Sequence, residues 1–325
     1  MRKGAARALL VIAALLLVAG VPLAIAPWYG WGSRPGAPLL FEVRKGDSLT
    51  VVAGRLQEAR LVESAGQFRL LARLLGSDAP VQAGRYRLAP GQAWGEILSA
   101  LQAGRVERFS VTIPEGWPSI LVVERLRATP GLTGDVEVPA EGSVLPDTYD
   151  YEPGEPRAAV LKRMQAAMTK QLADAWPRRT PRAVVKSPEE AVILASIVEK
   201  ETGKASERRT IAGVYSNRLR IGMKLDADPT VIYPITRGKP LGRRIRRSEL
   251  QRDTGWNTYV KPGLPKGPIA NPGRESLLAV LDPAETDALF FVADGSGGHV
   301  FAATLAAHNR NRERWYQLRR QRGEM

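Results

Sequence analysis

Ser187-Pro188-Glu189-Glu190-Ala191-Val192-Ile193-Leu194-Ala195-Ser196-Ile197-Val198-Glu199-Lys200-Glu201-Thr202-Gly203 is the stretch on which the reading of this chain turns. It opens as a helix should. Ser187 can cap the free amides, Pro188 takes the first helical position, where no N–H is required, and two acids fill the first turn. Gly203 supplies a stop. At about 100° per residue, with Leu194 at zero, Ala191 falls at about 60°, Val198 at about 40°, Ile197 at about −60° and Glu201 at about −20°. Glu201 therefore sits in the middle of the apolar stripe. Glu199 falls at about 140° on the shoulder of the stripe, and Lys200 at about 240° on the opposite side. Ile193 lies off the stripe, which predicts a helix buried on more than one side.

A carboxylate on a buried apolar face is expensive as a charge. Desolvation raises its pKa, which is what a general acid working near neutral pH requires. Periodicity alone leaves a second reading open, in which Glu201 ends the stripe and pairs with an arginine such as Arg208 or Arg218.

The rest of the chain bounds where this helix works. A length of 325 residues exceeds what one small core needs, so two or more domains are expected. Lys and Arg number 47 against 33 Asp and Glu, a net charge of +14. That balance suits an anionic partner: nucleic acid, a lipid surface or a carboxylate-rich polymer.

The N-terminus narrows the choice. Arg2, Lys3 and Arg7 precede an uncharged run from Ala8 through Ala26. At ~1.5 Å per residue the run spans ~28 Å, close to a bilayer's hydrocarbon thickness. The positive-inside rule places the N-terminus in the cytoplasm and residues 28–325 outside, with Trp28, Tyr29 and Trp31 at the interface. The alternative is a signal peptide cleaved after Ala24-Ile25-Ala26. Pro27 at the first mature position and the length of the run favour a retained anchor. An exported chain does not meet nucleic acid. With no cysteine, the fold holds without disulfides or a zinc–thiolate site. His299 and His308 match no zinc-binding spacing, so metal chemistry is not expected.

Residues 28–40 read as a linker rich in Gly and Pro. Beyond it, Phe41-Glu42-Val43 alternates as a strand and Lys45-Gly46-Asp47 turns. Ser48 caps a helix whose apolar side holds Val51, Val52, Leu56 and Leu61. A helix over 65–75, a strand over 84–88 and a helix over 94–103 follow. Val43-Arg44-Lys45-Gly46-Asp47-Ser48-Leu49 resembles the start of a LysM module, a small fold that binds N-acetylated glycans. A strand over 106–113 is broken by Pro114 to Pro118. Residues 119–184 mix helices with a turn at Leu145-Pro146-Asp147-Thr148-Tyr149, and Gly238 to Arg247 form a basic loop. Residues 305–322 read as a charged packing helix.

Leu194-Ala195-Ser196-Ile197-Val198-Glu199-Lys200-Glu201-Thr202 resembles the signature of the YceG-like (MltG-type) endolytic murein transglycosylases. So do Asn217-Arg218-Leu219, Gly222-Met223-Lys224-Leu225, Asp228-Pro229-Thr230-Val231-Ile232-Tyr233, Asn257-Thr258-Tyr259, Gly263-Leu264-Pro265, Gly267-Pro268-Ile269, Asn271-Pro272-Gly273 and Phe291-Val292-Ala293-Asp294-Gly295. The likeness is ordered over 190–310 and extends weakly to the N-terminus. Asp226 stands where relatives often carry glutamine, and Val144 where an aromatic is common.

The resemblance implies an α+β chain of four parts. These are a cytoplasmic N-terminus and transmembrane helix over 1–27, the linker, a LysM-like α/β module over 41–118, and a catalytic domain over 119–325. That domain is expected to be mostly helical, lysozyme-like in character, with short strands. The implied catalytic residue is Glu201, the glutamate followed by a hydroxyl residue. Asp228, Thr230, Tyr233, Asn257 and Tyr259 are the candidates for holding the sugar, because amide, hydroxyl and aromatic groups suit N-acetyl sugars; a purely structural turn or capping role is the alternative for each. The implied reaction cuts the β-1,4 bond between N-acetylmuramic acid and N-acetylglucosamine in peptidoglycan, leaving a 1,6-anhydro end, with no metal or other cofactor. The implied partners are glycan strands, the inner membrane and peptidoglycan synthases, with the catalytic domain on the periplasmic side. A non-catalytic glycan-binding scaffold of the cell-wall machinery is the alternative.

Overall fold

The computed structural model describes residues 20–107 and 109–324, which fall into two compact units dividing between residues 108 and 109. The expected anchor lies largely outside the described residues, of which 20–29 are helical. Among the described residues, no helix is long and apolar enough to cross a membrane.

The N-terminal unit runs β1 (Leu39–Val43), α1 (Leu49–Glu58), α2 (Ala65–Leu75), β2 (Gly84–Leu88) and α3 (Trp94–Gln102). β1 and β2 pair antiparallel with Phe41 opposite Tyr86. Alternation turns Phe41 and Val43 inward, and Tyr86 and Leu88 likewise, onto a core with Leu56, Phe68, Trp94 and Ile97. Ser48 caps α1 by accepting from the Val51 amide at 3.4 Å, and Asp47 pairs with Arg55 at 2.8 Å. The buried side of α1 is Val52, Ala53 and Leu56; Val51, expected on it, is exposed, since it lies ~100° round the helix from Val52. The 28–40 segment is fastened rather than free. Ser33 Oγ donates to the Gly91 carbonyl at 2.8 Å, and the Gly36 amide donates to that of Pro90 at 2.7 Å.

The second unit begins with β3 (Phe109–Thr112), earlier than the expected boundary at 118, because β3 pairs antiparallel with β4 (Thr148–Tyr151). Between them lies α4 (Ser119–Ala128), and α5 (Arg157–Ala175) follows. The centre is built by α6 (Pro188–Glu201), α7 (Arg208–Arg220) and a helix further on. Next come α8 (Asp228–Thr236), the short α9 (Arg247–Leu250) and α10 (Arg274–Leu281), then the hairpin of β5 (Phe290–Ala293) and β6 (His299–Ala302) and the charged α11 (Leu305–Gln321). The unit is thus mostly helical with short strands.

α6 is buried almost all round. Ala191, Leu194, Ala195, Ile197 and Val198 share one core with Ile211, Ala212 and Tyr215 of α7 and with Leu277 and Val280 of α10. Each buried Leu, Ile or Val contributes ~1.5–3 kcal/mol relative to exposure, so this contact is what fixes the helix. Ser187 accepts from the Glu190 amide at 3.2 Å, the cap expected of it. Loops are locked on from the side. Ser196 Oγ accepts from the Ile269 amide at 3.1 Å. Gly142, at φ +76°, lets the 140s loop close on the helix, since a Cβ there would meet Val192 and Pro268 at 2.7 Å.

Candidate active site

Glu201 is the last residue of α6, and the backbone becomes extended at Thr202. Its position is fixed by the packed turns behind it rather than by a loop. Glu201 keeps part of its surface open, yet burial of its carboxyl pushes the pKa from the ordinary 4.5 up to about 7. The Tyr215 hydroxyl, donating to it, and the positive charge of Arg218 pull the other way, while the charge of Asp228 pushes further up. Burial wins. A helix C-terminus, with its unpaired carbonyls, adds to the cost of a negative charge there.

Tyr215 and Arg218 stand three apart on α7 and so share a face. Tyr215 is fully buried, and its own pKa is driven well above the tyrosine range by burial and by Glu201. It is therefore a permanent donor. Arg218 is buried too, but its guanidinium is spent elsewhere. It donates to the carbonyls of Leu289 at 2.6 Å and Leu225 at 2.7 Å, and lies 3.9 Å from Asp226. Arg208 turns to Glu115 at 3.0 Å and Glu199 at 3.7 Å. Among the described residues Glu201 forms no ion pair, so the arginine-paired reading falls. The paired carboxylate is Glu199, which also accepts from the Gly273 amide at 2.9 Å.

Of the five residues expected to hold a sugar, two join Glu201. Asp228 opens α8, and its Oδ1 accepts from the Tyr259 hydroxyl at 2.6 Å. Tyr259 is pushed above its ordinary pKa by burial first, then by Asp228. Asp226 completes the acidic rim from a left-handed backbone at φ +48°, a conformation Asp tolerates better than most residues. The other three are placed differently. Thr230 is fully buried; its hydroxyl donates to the Ala227 carbonyl at 2.7 Å and meets that of Thr258 at 2.9 Å. Asn257 is buried and saturated, donating to the carbonyls of Leu250 and Arg252 and accepting from the Tyr259 amide at 2.9 Å. These two hold Asp228 and Tyr259 in place. Tyr233 packs on Trp256, with ring centres 5.4 Å apart, and its hydroxyl bonds to Glu141.

Sequence reasoning missed Tyr215 as a site residue, though a tyrosine and an arginine at i, i+3 beside the stripe of Ile211 and Ala212 was a usable signal. It also missed a second buried carboxyl. Glu141 accepts from the Ser119 amide at 2.8 Å and from Asn271 Nδ2 at 3.2 Å, and burial raises its pKa.

The chain that places an unpaired carboxyl at the end of a buried helix, beside Tyr215, Asp228 and Tyr259, has relatives among known proteins. The YceG-like family model matches residues 41–314. The chain belongs to the YceG-like family. A relative from Bacillus subtilis strain 168, named endolytic murein transglycosylase, is 28% identical over 305 residues, covering 84% of this chain and 83% of that protein. One of the same name from Streptococcus pneumoniae serotype 2 strain D39 is 25% identical, covering 83% of this chain but 57% of that longer protein. Among solved structures, the 2.6 Å crystal structure of a yceG-like protein from Listeria monocytogenes is 25% identical with a TM-score of 0.53, covering 84% of this chain and 98% of that one. This YceG-like chain thus shares both sequence and fold with the family along most of its length.

Proposed function

We propose that this chain is an endolytic murein transglycosylase, a lyase that cuts peptidoglycan glycan strands internally, with Glu201 as its acid and base. The observation that carries the reading is the setting of Glu201: at the end of the buried α6, free of any ion pair among the described residues, with burial raising its pKa to about 7. The names of the relatives from B. subtilis and S. pneumoniae support the same substrate.

Glycoside hydrolysis ordinarily divides its work between two carboxyl groups. One suffices when the nucleophile belongs to the sugar. The protonated Glu201 gives its proton to the oxygen linking N-acetylmuramic acid to N-acetylglucosamine, and that bond breaks. The sugar's acetamido group stabilises the cationic anomeric carbon. Glu201, now a carboxylate, takes the proton of the same sugar's C6 hydroxyl as its oxygen bonds to the anomeric carbon, closing a 1,6-anhydro ring. Glu201 ends protonated, as it began, and no water is consumed. The intramolecular attack supplies the proximity advantage. A pKa near the working pH lets one group serve both steps. Tyr215 stabilises the carboxylate form by donating to it, and Asp228 and Tyr259 line the approach for the sugar's polar groups.

The N-terminal unit is read as a LysM-like glycan-binding module, a reading supported by its β-α-α-β order with antiparallel strands. The catalytic unit is read as lysozyme-like in character. The uncharged run over residues 8–26 is read as a retained membrane anchor that holds both units on the periplasmic side, near the synthases that extrude new strands. Incubating the chain with purified sacculi and analysing the soluble products by mass tests the proposal. Fragments with 1,6-anhydro ends are expected; reducing ends would mean hydrolysis, and no release a non-catalytic scaffold.

A further inference from the structure

The N-terminal unit has an outward face that its own core leaves unused. On α2, Phe68, Leu71 and Ala72 are buried, whereas Arg69, Leu70, Arg73 and Leu74 are exposed. Leu70 and Leu74 expose 55% and 67% of their surface. At ~100° per residue the two arginines occupy one half of an outward stripe and the two leucines the other. No acid lies on the helix. Single exposed leucines are ordinary on protein surfaces, so the stripe alone says little.

What gives it meaning is the place where α2 is tied. Gln67 Nε2, in its first turn, donates to the Ala24 carbonyl at 2.8 Å. Ala24 belongs to the uncharged run that starts at Ala8, most of which lies N-terminal to the described residues. The visible end of that run exposes Val21 and Leu23, while Ile25 and the buried Trp28 pack into the core of the unit. Tyr29 and Trp31 stack with ring centres 5.0 Å apart and stay exposed, the habit of aromatics at a headgroup boundary. The unit therefore grips the last turns of the apolar run itself instead of hanging from it by a tether. If the run leaves the hydrocarbon at Ala26, Ala24 lies within one turn, ~5.4 Å, of that edge. Whatever bonds to Ala24 stands at the depth of the headgroups.

From this geometry we infer that the α2 face of Arg69, Leu70, Arg73 and Leu74 rests on the membrane surface, with leucines in the acyl boundary and guanidiniums on anionic lipid phosphates. A helix with arginines beside leucines fits this surface, because apolar burial and attraction to anionic headgroups act together. Arginine also matches a phosphate's paired oxygens. The inference rests on the reading of residues 8–26 as a membrane anchor. Its consequence is an oriented N-terminal unit, pinned to the bilayer by anchor and helix face together.

The chain has no cysteine, so single-cysteine variants can be labelled cleanly. Leu23→Cys, Leu70→Cys, Leu74→Cys and Val51→Cys would each carry an environment-sensitive fluorophore on the full chain. Each would be placed in nanodiscs of phosphatidylcholine and phosphatidylglycerol with nitroxide-labelled lipid. Val51, exposed on α1, is the reference. Labels at 23, 70 and 74 should lose fluorescence to the nitroxide and the one at 51 should not. Quenching at 70 and 74, but not at 23, should weaken when Arg69→Gln and Arg73→Gln are combined. Quenching at 23 with none at 70 and 74, or equal quenching at 51, overturns the inference while leaving the anchor intact. No quenching at 23 overturns the anchor reading and the inference with it. A response at 74 to sacculi but not to lipid assigns the face to glycan and overturns the inference as well.

Discussion

Tyr259 donates a 2.6 Å hydrogen bond to Oδ1 of Asp228, whose charge raises the pKa of Glu201, while Glu201 in turn helps to raise that of Tyr259. The bond joins the start of α8 to the loop that follows Asn257, so a residue from each segment is held beside the end of α6. The second carboxylate of the site is thereby kept as a hydrogen-bond acceptor with a tyrosine on it, while the first is left free to gain and lose a proton.

Glu201→Gln should abolish release of anhydro-muropeptides, a loss of at least ~10⁴-fold, because glutamine can neither give a proton nor take one back. Glu199→Gln should keep most of the activity. A glutamine oxygen can still accept from the Gly273 amide, and Arg208 keeps Glu115 at 3.0 Å. Product release from both variants, beside their melting curves, is the measurement. A dead but folded Glu199→Gln with an active Glu201→Gln would reverse the assignment.

Asp228→Asn should lower the pKa of Glu201, since the charge of Asp228 is one of the influences holding it up. The acid form of Glu201 is then lost earlier, so the alkaline limb of kcat/KM against pH should move to lower pH. Tyr259→Phe keeps the charge of Asp228 and should move that limb less. An unmoved limb in Asp228→Asn would remove Asp228 from the electrostatics of the site.

Stability should depend on pH through the same group. The folded chain keeps the Glu201 proton up to about pH 7, whereas an unfolded glutamate releases it near 4.5. The stabilisation from holding that proton is complete below pH 4.5 and is lost as pH rises through 7. At ~1.4 kcal/mol per pH unit this amounts to roughly 3 kcal/mol. Glu201→Gln should therefore be more stable than the parent chain by up to roughly that amount at pH 8, with little advantage at pH 4.5. Urea unfolding at the two pH values reads the difference directly.

Thr230→Val and Asn257→Ala should act through stability first. Each removes a buried hydrogen-bonding group whose partners are all protein atoms, and stranding such partners costs ~1–3 kcal/mol. Both should unfold at lower urea, and the remaining folded enzyme should lose activity through the displaced Tyr259 and Asp228. A changed KM with unchanged stability would instead put these side chains against the sugar.

The buried helix and its carboxyl were legible in the sequence because their signals are local. A cap, a proline, a period of 3.6 and a stop lie within one stretch, and the same period separates Glu201 from Glu199. The βααβ order of the N-terminal unit was legible for a similar reason, each element being bounded by turn residues. The division of labour among polar residues was not. Thr230, Asn257 and Tyr233 belong to residue types that suit a sugar as well as a turn, and only long-range packing decided which groups were already satisfied. Arg218 could have neutralised Glu201; the carbonyls of Leu225 and Leu289 claim it instead, and they converge there only once α7 has met the start of the β5–β6 hairpin. Local periodicity put Glu201 on the apolar side of its helix. The tertiary structure decided that it is left unpaired, because hydrogen-bond saturation depends on groups brought together from distant parts of the chain.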